Sequence, residues 1–468
     1  KQDYRALLDL LPGIDGVVLT FIETGARAER QTSQKLREPA EKLAAVINAV
    51  ADVVVGERHL QLYARSFAYT HEEYKLTLGA LARIARPEVR LMMKETPHDF
   101  FLTHPVDPYV GSIARPTIIE FDAGNEFSGQ GQIANTWPEV ALERWGTLQK
   151  RPHVIGYVAR VDRFGPSRIV GRAGEILLYA LARKTADPSI TVDRVYEEFA
   201  RSRYGEKAAP DVVAAFRTAH DVVTSALYTL GTSTARHSSL AYDPYGSNWN
   251  RHVSGKWMDP PVARVGHGLD RTLHYWTDVI QPLAPATQKR PGGPLERDAP
   301  WVLQKGWVTA EEAMTEAVLA EVLREKAFGV QRAAEAEAHI AAAAPVLAPA
   351  DRDELTGLFR RTAMTARLHH AVAAAYFGYR VWARGLSFRT PTLEATIRAG
   401  LAGIEREAAA IEADPSPVVA GEWRWRDDAG RAREYLRKIA EQGWREYGGE
   451  VFPYRGAMQA QPAAAVRR

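Results

Sequence analysis

From Glu88 the chain reads Glu-Val-Arg-Leu-Met-Met-Lys-Glu-Thr-Pro-His-Asp-Phe to Phe100; from Thr117 it reads Thr-Ile-Ile-Glu-Phe-Asp-Ala-Gly-Asn-Glu-Phe to Phe127. Both stretches share one grammar: a short apolar run, then an irregular segment dense in carboxylates. Runs of this length without clean alternation suit strands buried on both faces, as in parallel sheets covered by helices. Ionisable groups just past the carboxyl ends of such strands are where barrel and open-sheet enzymes place their working residues.

Working outward, the same unit recurs. Residues 16–21 read as a strand with Glu23 just beyond it, and residues 59–64 as another that ends at Arg65. A fifth strand, residues 153–158, runs into Arg160. Helical spacing fills residues 33–55, 72–84 and 137–150, whereas residues 101–115 carry too many prolines for a regular helix. Strand, helix, strand, with right-handed crossovers, is the signature of a parallel α/β sheet. Five strands are expected where a closed (β/α)8 barrel needs eight. The expectation is therefore a partial barrel belonging to a longer protein, because an open fragment would leave apolar sheet edges uncovered. Residues 1–165 form this α/β part and residues 166–300 a helical, then loop-rich region. Residues 301–468 form an Ala-rich helical domain, so the fold class is α/β followed by all-α.

Composition narrows the function. The formal charge of +3 in 468 residues is too small and too evenly spread to point to nucleic acid. Without cysteine there is no disulfide framework, thiolate nucleophile or Cys-ligated metal. His98 and His104 match no standard metal spacing, and no glycine run opens a helix in a phosphate-binding order, so neither metal nor cofactor is expected. No apolar run reaches the roughly 20 residues of a membrane span, and the compartment stays open. Eleven Trp and eighteen Tyr offer many aromatic tips, of the kind carbohydrate clefts use as stacking floors; Trp249 is one candidate.

Glu23, Asp99 and Glu126 each fall just past the end of a different strand. In a parallel barrel those ends converge on one mouth. Three carboxylates there are the equipment of glycoside cleavage: one acid protonates the leaving oxygen, and the others activate water or stabilise an oxocarbenium ion. The bland alternative is that individual acids cap helices or pair with nearby arginines. Arg65 and Lys94 admit two roles as well, holding an acidic substrate or neutralising neighbouring acids. Glu120 points opposite to its strand neighbours, as a buried hydrogen-bonding partner or a substrate contact.

The run Thr96-Pro97-His98-Asp99-Phe100, His104-Pro105, Asp107-Pro108, Gly111 and Ile119-Glu120-Phe121 through Asn125-Glu126-Phe127-Ser128-Gly129 resembles the family 67 α-glucuronidases. The segments Ile22-Glu23-Thr24-Gly25, Tyr63 to Phe67 and Gly266 to Thr272 look like segments of the same family, in the same order. The likeness covers roughly residues 10–275. It implies an N-terminal β domain, a (β/α)8 catalytic barrel and a C-terminal helical domain, with inverting hydrolysis of a terminal uronic acid. It further implies that Glu23 is the general acid, that Asp99 and Glu126 flank the attacking water, and that Arg65 and Lys94 hold the sugar carboxylate. His98, Glu120, Trp249 and Arg271 complete the expected substrate contacts. The chain departs from the family at Leu19, where the pattern has a lysine; one cation fewer weakens the case for glucuronate itself. The expected partner is an oligosaccharide or polysaccharide-derived substrate, with no nucleic acid and no membrane, and a homodimer is compatible. Two rivals stand beside this: a retaining glycosidase with Glu126 as nucleophile, and a carbohydrate-binding relative without turnover.

Overall fold

The computed structural model describes residues 1–456 except 23, 67, 69–70, 97–98, 103–105, 162–168, 230–231, 234, 237, 241–314 and 418–423. Five parallel strands form one sheet: β1 (Gly16–Thr20), β2 (Gln61–Arg65), β3 (Arg90–Lys94), β4 (Thr117–Asp122) and β5 (Val154–Arg160). Each pairs with its sequence neighbour in the order β1-β2-β3-β4-β5. Helix α1 (Gln2–Leu10) precedes the sheet, and α2 (Pro39–Ala51), α3 (His71–Ala82) and α4 (Pro138–Leu148) connect its strands. The five strands and their parallel direction are those the sequence leads one to expect.

Helix α2 begins at Pro39, later than its apolar spacing suggests. Pro39 occupies the first turn, and Glu38 and Glu41 form a reciprocal capping box there, which fixes the start. Downstream lie α5 (Ile176–Ala186), α6 (Val192–Tyr204), α7 (Ala209–Phe216) and α8 (Ala219–Leu227). Two short antiparallel pairs follow, Tyr228–Thr229 with Thr232–Ser233 and Ala235–Arg236 with Ser239–Leu240. The remainder of the expected loop-rich stretch lies outside the described residues. The C-terminal region is helical as expected: α9 (Glu316–Ala343), α10 (Pro349–Trp382), α11 (Pro391–Ala413) and α12 (Asp427–Arg437). Among the described residues no helix is long and apolar enough to cross a membrane.

Strand register sorts the sheet residues into two faces, because successive side chains point to opposite sides. Leu19 pairs with Ala64, Leu91 with Thr117, and Met93 with Ile119. Leu62, Ala64, Leu91, Met93, Ile119 and Phe121 belong to the hydrophobic core. On that face Phe121, Trp145 of α4 and Tyr157 meet edge-to-face, with ring centroids 5.1–6.1 Å apart. The opposite face ends in charge. Thr20 pairs with Arg65, Lys94 with Glu120, and Asp122 with Arg160. One face thus supplies the burial that holds the helices, while the other carries the ionic row described below.

The proline-rich connection between β3 and β4 contains a buried acid. Asp107 is 1% exposed, accepts the Tyr109 N–H at 2.8 Å and the Tyr74 hydroxyl, and burial pushes its carboxyl up to about 6. The folded state therefore keeps a proton that the unfolded chain releases near pH 4. The stabilisation this group contributes is full below that pH and falls as the pH rises through about 6, by at most about 3 kcal/mol. Asp107→Asn should flatten the difference in urea-unfolding free energy between pH 4 and pH 7 relative to the unmodified protein. An unchanged pH slope would show that Asp107 is not protonated in the fold.

Candidate active site at the carboxyl edge of the sheet

The site is built from ion pairs among residues that follow or end four strands. Arg65, at the end of β2, reaches past β3 and donates both Nε and Nη2 to Glu120 on β4, at 2.7 and 2.9 Å. Lys94, ending β3, donates to Asp99 Oδ1 at 2.6 Å. Arg160, ending β5, lies 2.9 Å from Asp122 Oδ1 and 2.7 Å from Glu126 Oε2. Beneath the row, on the apolar side, Arg144 of α4 pairs with Glu95 at 2.9 Å, both nearly excluded from water. Charges in so dry a setting persist only in such pairs.

Two of these pairs meet at one ring. Lys94 Nζ stands 4.1 Å from the Phe100 centroid and Arg160 Cζ 5.3 Å from it. Asp99 and Glu126, each bonded to one of these cations, therefore lie around the same aromatic side chain. The two candidate carboxylates that the sequence placed in different loops are brought together. Glu120 is the buried hydrogen-bonding partner of Arg65, one of the two roles expected of it. Both cations expected to hold a substrate carboxylate are engaged by acids of the chain itself. Glu23, His98, Trp249 and Arg271 lie outside the described residues.

Leu19 is placed differently from what the resemblance implies. It is buried at 8% exposure, pairs with Ala64 and belongs to the helix-covered face. The position on β1 that shares the charged face is Thr20, opposite Arg65. Leucine at 19 is accordingly a core residue, and a lysine there would enter the apolar face instead of the row.

The loop after β4 is tightly wound. Asn125 and Gln130 adopt left-handed backbone at φ 57° and 47°, and Gly129 at φ 116°. Asp122 Oδ2 accepts the Glu126 N–H at 2.6 Å, and Asn125 O accepts the N–H groups of Ser128 and Gln130. Burial pushes the Asp122 carboxyl up; Arg160 pulls it down, and the charge of Glu126 pushes it up again. Asp122 and Glu126 thus share one guanidinium.

Four residues that hold this arrangement were not among the site residues expected from sequence, although Arg160 was noted where the fifth strand ends. Arg160 ends β5, and the strand-end rule applied to that strand would have placed it among them. Arg144 sits in the middle of α4, where an arginine reads as a solvated face. Tyr228 donates its hydroxyl to Phe127 O at 3.1 Å and accepts the Leu102 N–H at 3.0 Å, joining the loops after β3 and β4. Ser238 bonds Glu126 O at 2.8 Å and receives the Gly129 N–H at 2.7 Å. Nothing local announces Tyr228 or Ser238, because their partners are more than a hundred positions away in the chain. Among the described residues no cluster of three or more His, Asp or Glu could hold a metal ion.

The Arg65–Glu120 pair has side chains only 13% and 10% exposed. Arg65→Met would strand the carboxylate and should cost about 3–5 kcal/mol in chemical denaturation, with most of the loss recovered in the Arg65→Met/Glu120→Gln double variant. A double variant as unstable as the sum of the singles would show that the two residues do not act as a pair.

A scan of the chain against family models finds no match, and a search of curated proteins finds none either.

Proposed function

We propose that the protein is a glycoside hydrolase of the α-glucuronidase type, cleaving a terminal uronic acid or related sugar with inversion. In this reading the five-stranded sheet is part of a (β/α)8 barrel wall, its charged face lining the barrel interior. The observation that carries the proposal is the gathering of Asp99 and Glu126 around Phe100 at the carboxyl edge of adjacent parallel strands. The resemblance in the same two loops supports it.

The reaction is a single displacement. Water attacks the anomeric carbon as the Asp99 and Glu126 pair that flanks it, one acting as general base and the other as its helper, takes the water proton. The bond from that carbon to the leaving oxygen breaks, and Glu23 donates a proton to this oxygen. Arg160 and Lys94 orient the two acids and counter their mutual repulsion. The Asp122 carboxyl, raised by its burial, shares Arg160 with Glu126, so the two acids compete for one guanidinium. Arg65 and Lys94 contact the sugar carboxylate while keeping their internal partners.

One observation favours a second reading. Because Arg65 and Lys94 are already neutralised by Glu120 and Asp99, the site also suits a neutral sugar. Comparing aryl uronosides with the matching neutral aryl glycosides separates the two. Equal kcat/KM for both would remove the uronate assignment and leave the glycosidase assignment standing. Hydrolysis of neither, in a protein that binds xylan-type oligosaccharides, would point to a binding relative without turnover.

Stereochemistry tests the mechanism. The first-formed product, followed by proton NMR, should carry the opposite anomeric configuration to the substrate, as required of a site with room for water between carboxylates about 6.5–9.5 Å apart. Retention would instead make Glu126 the nucleophile. Glu23→Gln should abolish cleavage of poor leaving groups yet spare activated aryl leaving groups, which need little protonation.

A further inference from the structure

Away from the ionic row, a cavity of about 270 Å3 opens between the far end of the β4 loop and the helical region. Its wall includes Gln132, Arg172, Glu354, Arg361, Trp425 and Arg426. Nearby, the buried Asp414 draws Arg360 and Arg361 through its carboxylate and Arg426 through its backbone carbonyl. Arg360 Nε donates to Asp414 Oδ2 at 2.7 Å, and Arg426 Nη2 to Asp414 O at 2.6 Å. Arg361 has no ion pair among the described residues. Its Nε and Nη1 go to neutral oxygens, Gln132 O at 2.7 Å and Ser416 Oγ at 3.1 Å. Arg426 Nε is buried without a hydrogen-bond partner. Arg172 adds a fourth guanidinium, with no carboxylate paired to it among the described residues. Glu354 is already engaged, accepting the Ala173 N–H at 2.8 Å and lying 3.6 Å from Arg203.

Among the described residues that line the cavity, Arg172, Arg361, Arg424 and Arg426 outnumber the acids Asp353 and Glu354, in a partly dehydrated place. Burial pulls Arg361 down to about 10, against the attraction of Asp414. Guanidinium forks with donors to spare recognise planar carboxylates and phosphates, and the dehydration strengthens that recognition. Ile169, Leu358 and Trp425 give the remaining wall an apolar character, and the volume admits a molecule about the size of one sugar ring.

We propose that this cavity is a binding site for a small organic anion, a carboxylate or phosphate ester of monosaccharide size, held by Arg361, Arg426 and Arg172. The site is separate from the ionic row, and its existence does not rest on the glycosidase reading. It is nonetheless wired to the same loop. Gln132, six positions beyond Glu126, has its carbonyl held by Arg361 and its side-chain Oε1 held by the Trp425 N–H at 3.1 Å. An anion on Arg361 draws on the group that pins this loop.

Calorimetric titration of the full chain with sodium glucuronate, glucose 6-phosphate, inorganic phosphate and glucose tests the site. Saturable binding of at least one organic anion, with none of glucose, is expected. Arg172→Ala, at an exposed position that should not disturb folding, and Arg361→Lys, which keeps the charge but loses the fork, should each weaken it about tenfold or more. Glucuronate binding over the phosphates identifies a carboxylate ligand, and the reverse a phosphate ester. Binding that survives Arg172→Ala and is lost in Lys94→Met would belong to the ionic row and overturn the proposal. Absence of saturable binding by any of the anions would overturn it as well.

Discussion

The arginine that spans β3 to grip Glu120 sets the terms for the rest of the α/β part. A parallel sheet buried on both faces normally fills both with aliphatic side chains. Here the second face ends in Arg65, Lys94, Glu120, Asp122 and Arg160. Such a row is tolerable only if every charge finds a partner, since desolvation of a lone ion costs several kcal/mol. The pairing in turn dictates which residue can occupy each strand end, and it fixes Asp99 and Glu126 about Phe100. The chemistry proposed for these acids is inseparable from this requirement: the cations that make their burial tolerable also aim them.

The strands were legible because each is an apolar run closed by a polar loop, and those boundaries agree with the structure within a residue or two. The site was legible in part. Asp99, Glu126, Arg65 and Lys94 follow from the rule that strand ends carry function, and all four lie where that rule puts them. Arg160 obeys the same rule. Partnership was not legible. No spacing says that Arg65 skips the adjacent strand to reach Glu120, because that contact depends on sheet order and stagger, which are properties of the assembled sheet. Leu19 shows the converse error. Alignment by position assigned it to the pocket, whereas alternation along β1, read from the Leu19–Ala64 pairing, places it in the core. The onset of α2 was missed because Leu36 stands at helical spacing from Leu43, and capping chemistry at Glu38 and Pro39 overrides that spacing.

The helical region contributes more than a support. Tyr228 and Ser238 clamp the loops after β3 and β4, and α10 and the residues before α12 hold the loop's far end. Glu126 thus sits on a segment pinned at both ends by parts of the chain that share no sequence neighbourhood with it. Rigid placement of a reacting group to a fraction of an ångström needs such outside bracing, since a loop rich in left-handed residues has little regular structure of its own.

The bond from the Ala134 N–H to Thr362 Oγ1, at 2.8 Å, spans 228 positions, and the one from the Trp425 N–H to Gln132 spans 293. Contacts of this sequence separation form late, because the intervening chain must be ordered before they reward closure. During synthesis the sheet leaves the ribosome long before α10 does, and at this stage the segment bearing Glu126 lacks its far anchor. The order of translation thereby makes completion of the chain a condition for completing the site, so a polypeptide interrupted before Thr362 carries the acids without the frame that positions them.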